Sequence, residues 1–228
     1  MKKELAGRAL PVIARMDRDS TAKRGSHQEI YKDWVSSKIQ ILVGTQMVSK
    51  GWDVSRVGLV GIISADTILH LPDFRSSERT FQILTQVAGR AGRGTDVGVV
   101  ILQTYNPDNY AIQAAKLHDY EGFYTHEIAL RQKYVYPPFS RLVKLTFSHK
   151  LKEKAMDLAG SAVRKITTHS IPSLEVIGPV PAFILKLRGK YRYQIVLRTA
   201  RDTPLELYKL LSDFASGADI DVDPESLL

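Results

Sequence analysis

Four short apolar runs rich in β-branched residues are spaced along the first hundred residues, and they fix the fold class. Val12–Met16, Ile39–Val43, Val57–Ile63 and Val97–Gln103 are each about one strand long. Helical segments near Ser26–Ser36 and over Ser76–Ala91 lie between them, the latter with Ser76 as N-cap candidate and Glu78 and Arg79 in its first turn. Continuous apolar strands alternating with helices describe a parallel sheet covered on both faces.

That pattern ends near residue 104. Asn106-Pro107 opens a helical stretch and Asp119–Lys133 reads as a longer helix, broken by Tyr136-Pro137-Pro138-Phe139, where neither proline can continue it. A strand follows (Arg141–Ser148), then a helix (Lys150–His169), a strand near Leu174–Ile177 and a hairpin of Phe183–Leu187 and Tyr191–Thr199 turning at Arg188-Gly189-Lys190. A helix (Pro204–Ala215) and a last strand (Asp219–Val222) complete a small α+β domain. The expected organisation is an α/β unit over 1–115, a helical linker over 116–138 and an α+β domain over 139–228. At 228 residues the chain is long enough for two modest domains, each able to bury a core.

Composition narrows the function. No apolar run approaches the ~20 residues of a membrane span, and no export signal is visible. Cysteine is absent, which excludes disulfides and thiolate metal sites and fits a reducing cytoplasm. The six histidines show no ligand spacing, so no metal is expected. A net charge of +8 favours a polyanionic partner. Lys186, Arg188, Lys190, Arg192, Arg198 and Arg201 fall within sixteen residues that hold no acid.

Residues 86–93 carry the sharpest chemistry. Gln86, Arg90 and Arg93 are spaced 0, +4 and +7, one face of a helix, and Gly89 and Gly92 relieve bulk beside the arginines. Permanently charged, forked guanidiniums suit the charge that builds up in phosphoryl transfer; the plain alternative is a solvated basic helix end. At residues 43–53 a strand ends in Gly44-Thr45, and Lys50, Gly51, Trp52 and Asp53 follow. Backbone N–H groups and a hydroxyl at a strand's carboxyl end are natural phosphate partners, although an ordinary strand-to-helix connection has the same composition. In the hairpin, period-two alternation sets Phe183, Leu185 and Leu187 with Tyr191, Tyr193, Ile195 and Leu197 inward. Lys186, Arg188, Arg192, Gln194, Val196 and Arg198 then point outward. This cationic face either grips nucleic acid or protects a sheet edge from aggregation.

Together these residues resemble the second, RecA-like motor lobe of superfamily-two helicases. Gly44 to Asp53 looks like the fifth motif of that superfamily and Gln86 to Arg93 like the sixth. The linking run from Asp66 through Leu71-Pro72-Asp73-Phe74-Arg75 to Arg79 is similar to the PriA, or primosomal protein N′, family of replication-restart helicases. Met16–Thr21, Tyr136–Phe139, Gly178–Ala182 and Tyr191-Arg192-Tyr193 fit as well.

The resemblance implies an ATP-hydrolysing DNA helicase moving 3′ to 5′ that recognises stalled or branched forks and directs primosome assembly. Arg90 and Arg93 would be arginine fingers on the ATP γ-phosphate, with Gln86 coupling nucleotide state to lobe closure. Gly44, Thr45 and Gly51 would lie near the DNA strand with Lys50 adding attraction. Gly51, Gly89 and Asp53 would border the nucleotide, Asp53 at its ribose. Lys186, Arg188, Lys190 and Arg192 would contact DNA, and Trp52 would be a core anchor.

ATP and Mg would be held mainly by a first lobe. The sequence contains neither a Gly-x-x-x-x-Gly-Lys-Ser/Thr loop nor an adjacent Asp-Glu pair, so a C-terminal fragment inactive by itself is expected. Zinc belongs to a cysteine-rich module of the family that is not in this sequence. Expected partners are single-stranded and forked DNA, primosome proteins and single-strand-binding protein, for a cytoplasmic monomer without membrane contact. The alternatives are a branch-migrating recombination helicase, or a non-enzymatic DNA-binding or assembly module.

Overall fold

The computed structural model describes residues 10–16, 26–45, 57–89, 91, 98–169, 171–201 and 205–228. They divide into two compact units. The first takes residues 1–66 and 81–118, and the second takes 67–80 and 119–228. The linking run 67–80 therefore folds with the C-terminal unit, as does the helix expected as a linker.

In the first unit, β1 (Ile13–Met16) pairs in parallel with β2 (Ile41–Gly44), and α1 (Ser26–Val35) connects them. β3 (Leu59–Ile62) pairs in parallel with β4 (Val99–Leu102). Between those strands the chain forms α2 (Asp66–Leu69) and α3 (Ser76–Ala88), and after them α4 (Tyr110–Leu117). The parallel α/β arrangement expected of the apolar runs is present, but as two separate two-stranded sheets among the described residues. The strands are only four residues long, and Ile13, Ile41, Val43, Leu59, Val99 and Ile101 remain exposed. Buried apolar residues of this unit include Met16, Phe81, Leu84, Ala111 and Ile112.

The second unit is built on a four-stranded antiparallel sheet ordered β6-β7-β5-β8, from β5 (Ser140–His149), β6 (Glu175–Leu187), β7 (Lys190–Ala200) and β8 (Asp219–Val222). β5 and β7 pair over ten residues, Ser140 with Ala200 through His149 with Tyr191. Two helices join its core: α6 (Lys152–Thr167) and α7 (Leu205–Ser212). Ala155, Ala159, Ala162 and Ile166 recur at helical spacing on α6 and are buried against Val143, Leu145 and Phe147 of β5 and Tyr193, Ile195 and Leu197 of β7. Small alanine side chains let the helix axis approach the sheet closely. Leu207, Leu210, Leu211 and Phe214 complete this core. Gly178 is required where β6 crosses β7. Its φ is +115°, and a Cβ there would lie 2.9 Å from the Gln194 carbonyl oxygen.

α5 (Tyr120–Lys133) is capped by Asp119, whose carboxylate accepts from the Gly122 N–H at 2.8 Å. Its role in the second unit is to present Arg131. That guanidinium donates to Glu127 at 2.7 Å and to Glu78 at 2.7 Å, and lies 5.4 Å above the Phe74 ring, which stacks on Tyr136 at 5.5 Å. Arg75 grips the same Glu78 carboxylate through two bonds, at 2.8 and 3.0 Å. One turn earlier, Asp73 has no exposed side-chain surface. It accepts from the Arg75 N–H (2.8 Å), the Ser226 hydroxyl (2.6 Å), the Leu227 N–H (3.0 Å) and the Arg79 guanidinium (3.3 Å). These two carboxylates hold the start of α3 within the second unit.

The bonds from Arg75 are the largest influence on Glu78. Burial opposes them, Arg131 adds to them, and the carboxyl is held below the ordinary glutamate value of 4.5. A depressed folded-state value stabilises the fold above the unfolded value, and that stabilisation is lost as pH falls through the folded one. Thermal unfolding of the chain should therefore show a midpoint that drops on acidification below about pH 4.5, with Glu78 contributing. Glu78→Gln should cost about 1–3 kcal/mol at pH 7 and flatten the acid limb; an unchanged midpoint at both pH values would show that the network carries no stability.

Candidate nucleotide and nucleic-acid interfaces

α3 carries the first residue of the arginine motif. Phe81 and Leu84 are buried and the Thr80 hydroxyl donates back to the Ser76 carbonyl at 2.8 Å, which fixes the helix in rotation. The helix stops at Ala88, short of the expected Ala91, and Gly89 follows with its N–H still bonded to the Thr85 carbonyl at 3.0 Å. Glycine is a poor continuation of a helix because of its backbone entropy. Gln86 is thus helical and Gly89 lies just beyond the last turn, while Arg90, Gly92 and Arg93 lie outside the described residues. A Cβ at Gly89 would meet only ordinary contacts, 3.5 Å at the nearest, so packing within the chain does not demand glycine there.

The second motif is partly described. β2 ends at Gly44, opposite Met16 of β1, and Thr45 follows; both are exposed at the carboxyl end of a parallel pair. Lys50, Gly51, Trp52 and Asp53 lie outside the described residues. Beyond the carboxyl end of β3 stands Asp66, which local sequence did not single out for a role of its own. Its carboxylate accepts from the Thr104 hydroxyl, the Tyr105 N–H and the Asn106 amide, each at 3.1 Å. Burial pushes its pKa up, but those bonds outweigh it and the net shift is downward. Its lone pairs serve the chain itself, which makes it a structural clasp.

The basic hairpin forms with a two-residue turn. Leu187 pairs with Lys190, and both Arg188 (φ +50°) and Gly189 (φ +78°) take positive φ, as in the hairpin turns whose twist matches that of the strands. The inward set on β7 is as expected: Tyr193, Ile195 and Leu197 are buried and Tyr191 packs against them. The inward set on β6 needs correction. Leu185 packs on the core, but Phe183 and Leu187 are exposed, because the register between β6 and β7 slips between Pro181 and Lys186.

The outward cations also divide. Arg198 donates to Glu175 and to the Tyr134 carbonyl and lies 5.9 Å from the Tyr136 ring centroid, so it is an internal strut. Lys186, 4.8 Å from the Tyr191 ring, and Arg188, Lys190 and Arg192 have no carboxylate partner among the described residues.

A cleft of about 560 Å³ in the second unit is lined by Arg75, Arg131, Arg141 and Arg201 together with Glu78 and Asp223. Three of those arginines are committed: Arg75 and Arg131 to Glu78, and Arg141 to Asp223, with one bond at 3.1 Å. Hydrogen bonding from Arg141 holds the Asp223 carboxyl below its ordinary range despite some burial. Among the described residues no group of three or more His, Asp or Glu side chains could hold a metal ion. No described helix is long and apolar enough to cross a membrane.

The sequence matches two family models in succession. Residues 13–95 match the helicase conserved C-terminal domain, and residues 132–225 match the primosomal protein N C-terminal domain. Replication restart protein PriA of Bacillus subtilis is 44% identical over 204 residues, covering 89% of this chain and 25% of that protein. The Synechocystis protein of the same name is 38% identical over 218 residues (93% of this chain, 26% of the relative), and that of Treponema pallidum 40% over 222 residues (95% and 34%). The chain spans about a quarter to a third of the length of these curated relatives. A primosomal domain directly following a helicase domain favours a restart protein over a branch-migrating recombination motor, and the chain belongs to the PriA family of replication restart proteins.

Proposed function

We propose that this chain is the C-terminal portion of an ATP-dependent 3′→5′ DNA helicase that recognises stalled or branched replication forks and directs primosome assembly and restart. It joins half of a motor to a small domain that grips DNA. The observation that carries the DNA-binding part is the division of charge in the second unit. Arg75, Arg131, Arg141 and Arg198 are each held by a carboxylate, whereas Lys186, Arg188, Lys190 and Arg192 are left on one hairpin without one among the described residues. Free cations on a stiff two-stranded ribbon release counterions when they meet phosphates.

The motor part rests on the family and on the order of residues. Bound ATP with Mg supplies a phosphoryl transfer to water. Arg90 and Arg93, following α3, would neutralise the charge that gathers on the γ-phosphate. Gln86 on the helix would transmit lobe closure, and Gly89 would leave room beside the guanidiniums. Gly44, Thr45 and Lys50 would track the DNA strand, and Gly51 and Asp53 would border the nucleotide. The motor portion would comprise residues 1–66 and 81–118 and the DNA-binding portion residues 67–80 and 119–228, with no separate linker over 116–138. Single-strand-binding and primosome proteins are the proposed partners of a cytoplasmic monomer. Zinc has no thiolate ligands within these 228 residues.

A second reading applies to the chain by itself. Its sequence has no phosphate loop and no adjacent Asp-Glu pair, so alone it would act as a non-enzymatic DNA-binding module. Phosphate release from ATP with forked DNA present should not rise above a no-protein control; a clear DNA-stimulated rate would overturn the half-motor assignment. Lys186→Ala, Arg188→Ala and Arg192→Ala combined should weaken DNA binding alike for all sequences. The triple variant should also make the log–log salt slope on duplex shallower, by about 0.9 for each phosphate that is no longer neutralised. An unaltered slope would leave the hairpin cations as protection for a sheet edge.

A further inference from the structure

β6 and β7 fall out of step twice, by one residue between Ile177 and Val180 and by three between Pro181 and Lys186. Pro181 faces Tyr193 and Lys186 faces Tyr191, so residues 182–185 of β6 stand opposite Arg192 alone. Three extra residues form a bulge and reverse the alternation of side chains. Ala182 is buried and Leu185 packs on the core, which pins both ends of the bulge. Phe183 and Ile184 between them are thrown outward, 53% and 51% exposed.

One exposed phenyl group is common on a protein surface. Its surroundings give this one meaning. Lys186, Arg188, Lys190 and Arg192 are its neighbours in the hairpin, and no acid occurs from residue 176 to residue 201. An apolar protein surface docking here would have to desolvate those cations without compensation. A nucleic acid meets both demands, because its phosphates satisfy the cations and its bases have apolar faces that stack on aromatic rings. In an intact duplex each base is already stacked on both faces, whereas an unpaired base at a branch has a face to offer.

We propose that Phe183, with Ile184 beside it, is a stacking platform for an unpaired base at a DNA branch, and that the neighbouring hairpin cations hold the adjoining phosphates. This rests on the hairpin being the DNA-gripping face. It adds the distinction between branched and plain duplex DNA, which the cations alone cannot make.

The test compares the 228-residue chain with its Phe183→Ala and Phe183→Trp variants. Binding is read by fluorescence anisotropy across a salt series, with a fork bearing unpaired arms and a blunt duplex as probes. Phe183→Ala should bind the fork about tenfold more weakly or worse. Its salt slope should be unchanged, since a phenyl group releases no counterions, and the blunt duplex should bind as before. Phe183→Trp should retain fork affinity.

Fork binding by Phe183→Ala equal to that of the unaltered chain would overturn the platform and leave the patch to a protein partner; equal losses on fork and blunt duplex would overturn it too. The triple cation variant run in parallel separates the two ideas. If its slope becomes shallower while Phe183→Ala binds normally, the platform alone fails. If neither variant differs from the unaltered chain, the DNA-gripping hairpin has failed with it.

Discussion

Two carboxylates with arginine partners fasten the start of α3 to the rest of the C-terminal unit. Asp73 is buried and receives four donors; Glu78 receives two guanidiniums. A charge this shielded is tolerable only when its lone pairs are filled, and removing any partner leaves the remainder uncompensated. Through these two residues the run before α3 becomes part of the C-terminal unit. Phe81 and Leu84, further along the same helix, belong to the other unit. The helix that bears Gln86 thus begins among the residues that build the domain with the basic hairpin.

The same residues explain why two stretches distant in sequence are distinctive. Phe74 stacks on Tyr136, and Arg131 lies over Phe74 while donating to the Pro137 carbonyl at 3.3 Å. Asp73-Phe74-Arg75 and Tyr136-Pro137-Pro138 are two sides of one contact. Arginine has two distinct uses in this unit. Planar guanidiniums bridging carboxylates serve as struts, and the hairpin cations without acids are available to an external polyanion.

What could be read from the sequence was what local periodicity determines. The apolar runs became parallel strands, the helix read over Asp119–Lys133 formed over Tyr120–Lys133, and the inward face of β7 followed strict alternation through Tyr193, Ile195 and Leu197. Misreadings arose where alternation is interrupted or long-range pairing decides. The stretch over Glu175–Leu187 is one continuous strand whose bulge turns Phe183 outward, and nothing in its composition announces three extra residues. α3 ends at Ala88 because Gly89 halts it. Asp73, Glu78 and Arg131 meet partners 53 or more residues away along the chain, and no window of sequence reveals such pairings. Asp66 is ordinary in sequence and acquires its role only when residues 104–106 return beside it.

The central claim is that guanidiniums following α3 act on a nucleotide bound by polypeptide outside these residues. The most direct measurement is DNA-stimulated ATP hydrolysis by the full-length protein carrying Arg90→Ala. A fall in kcat of about 10³-fold or more, with ATP binding largely retained, is the expected result for an arginine finger. A kcat equal to that of the unaltered protein would contradict it.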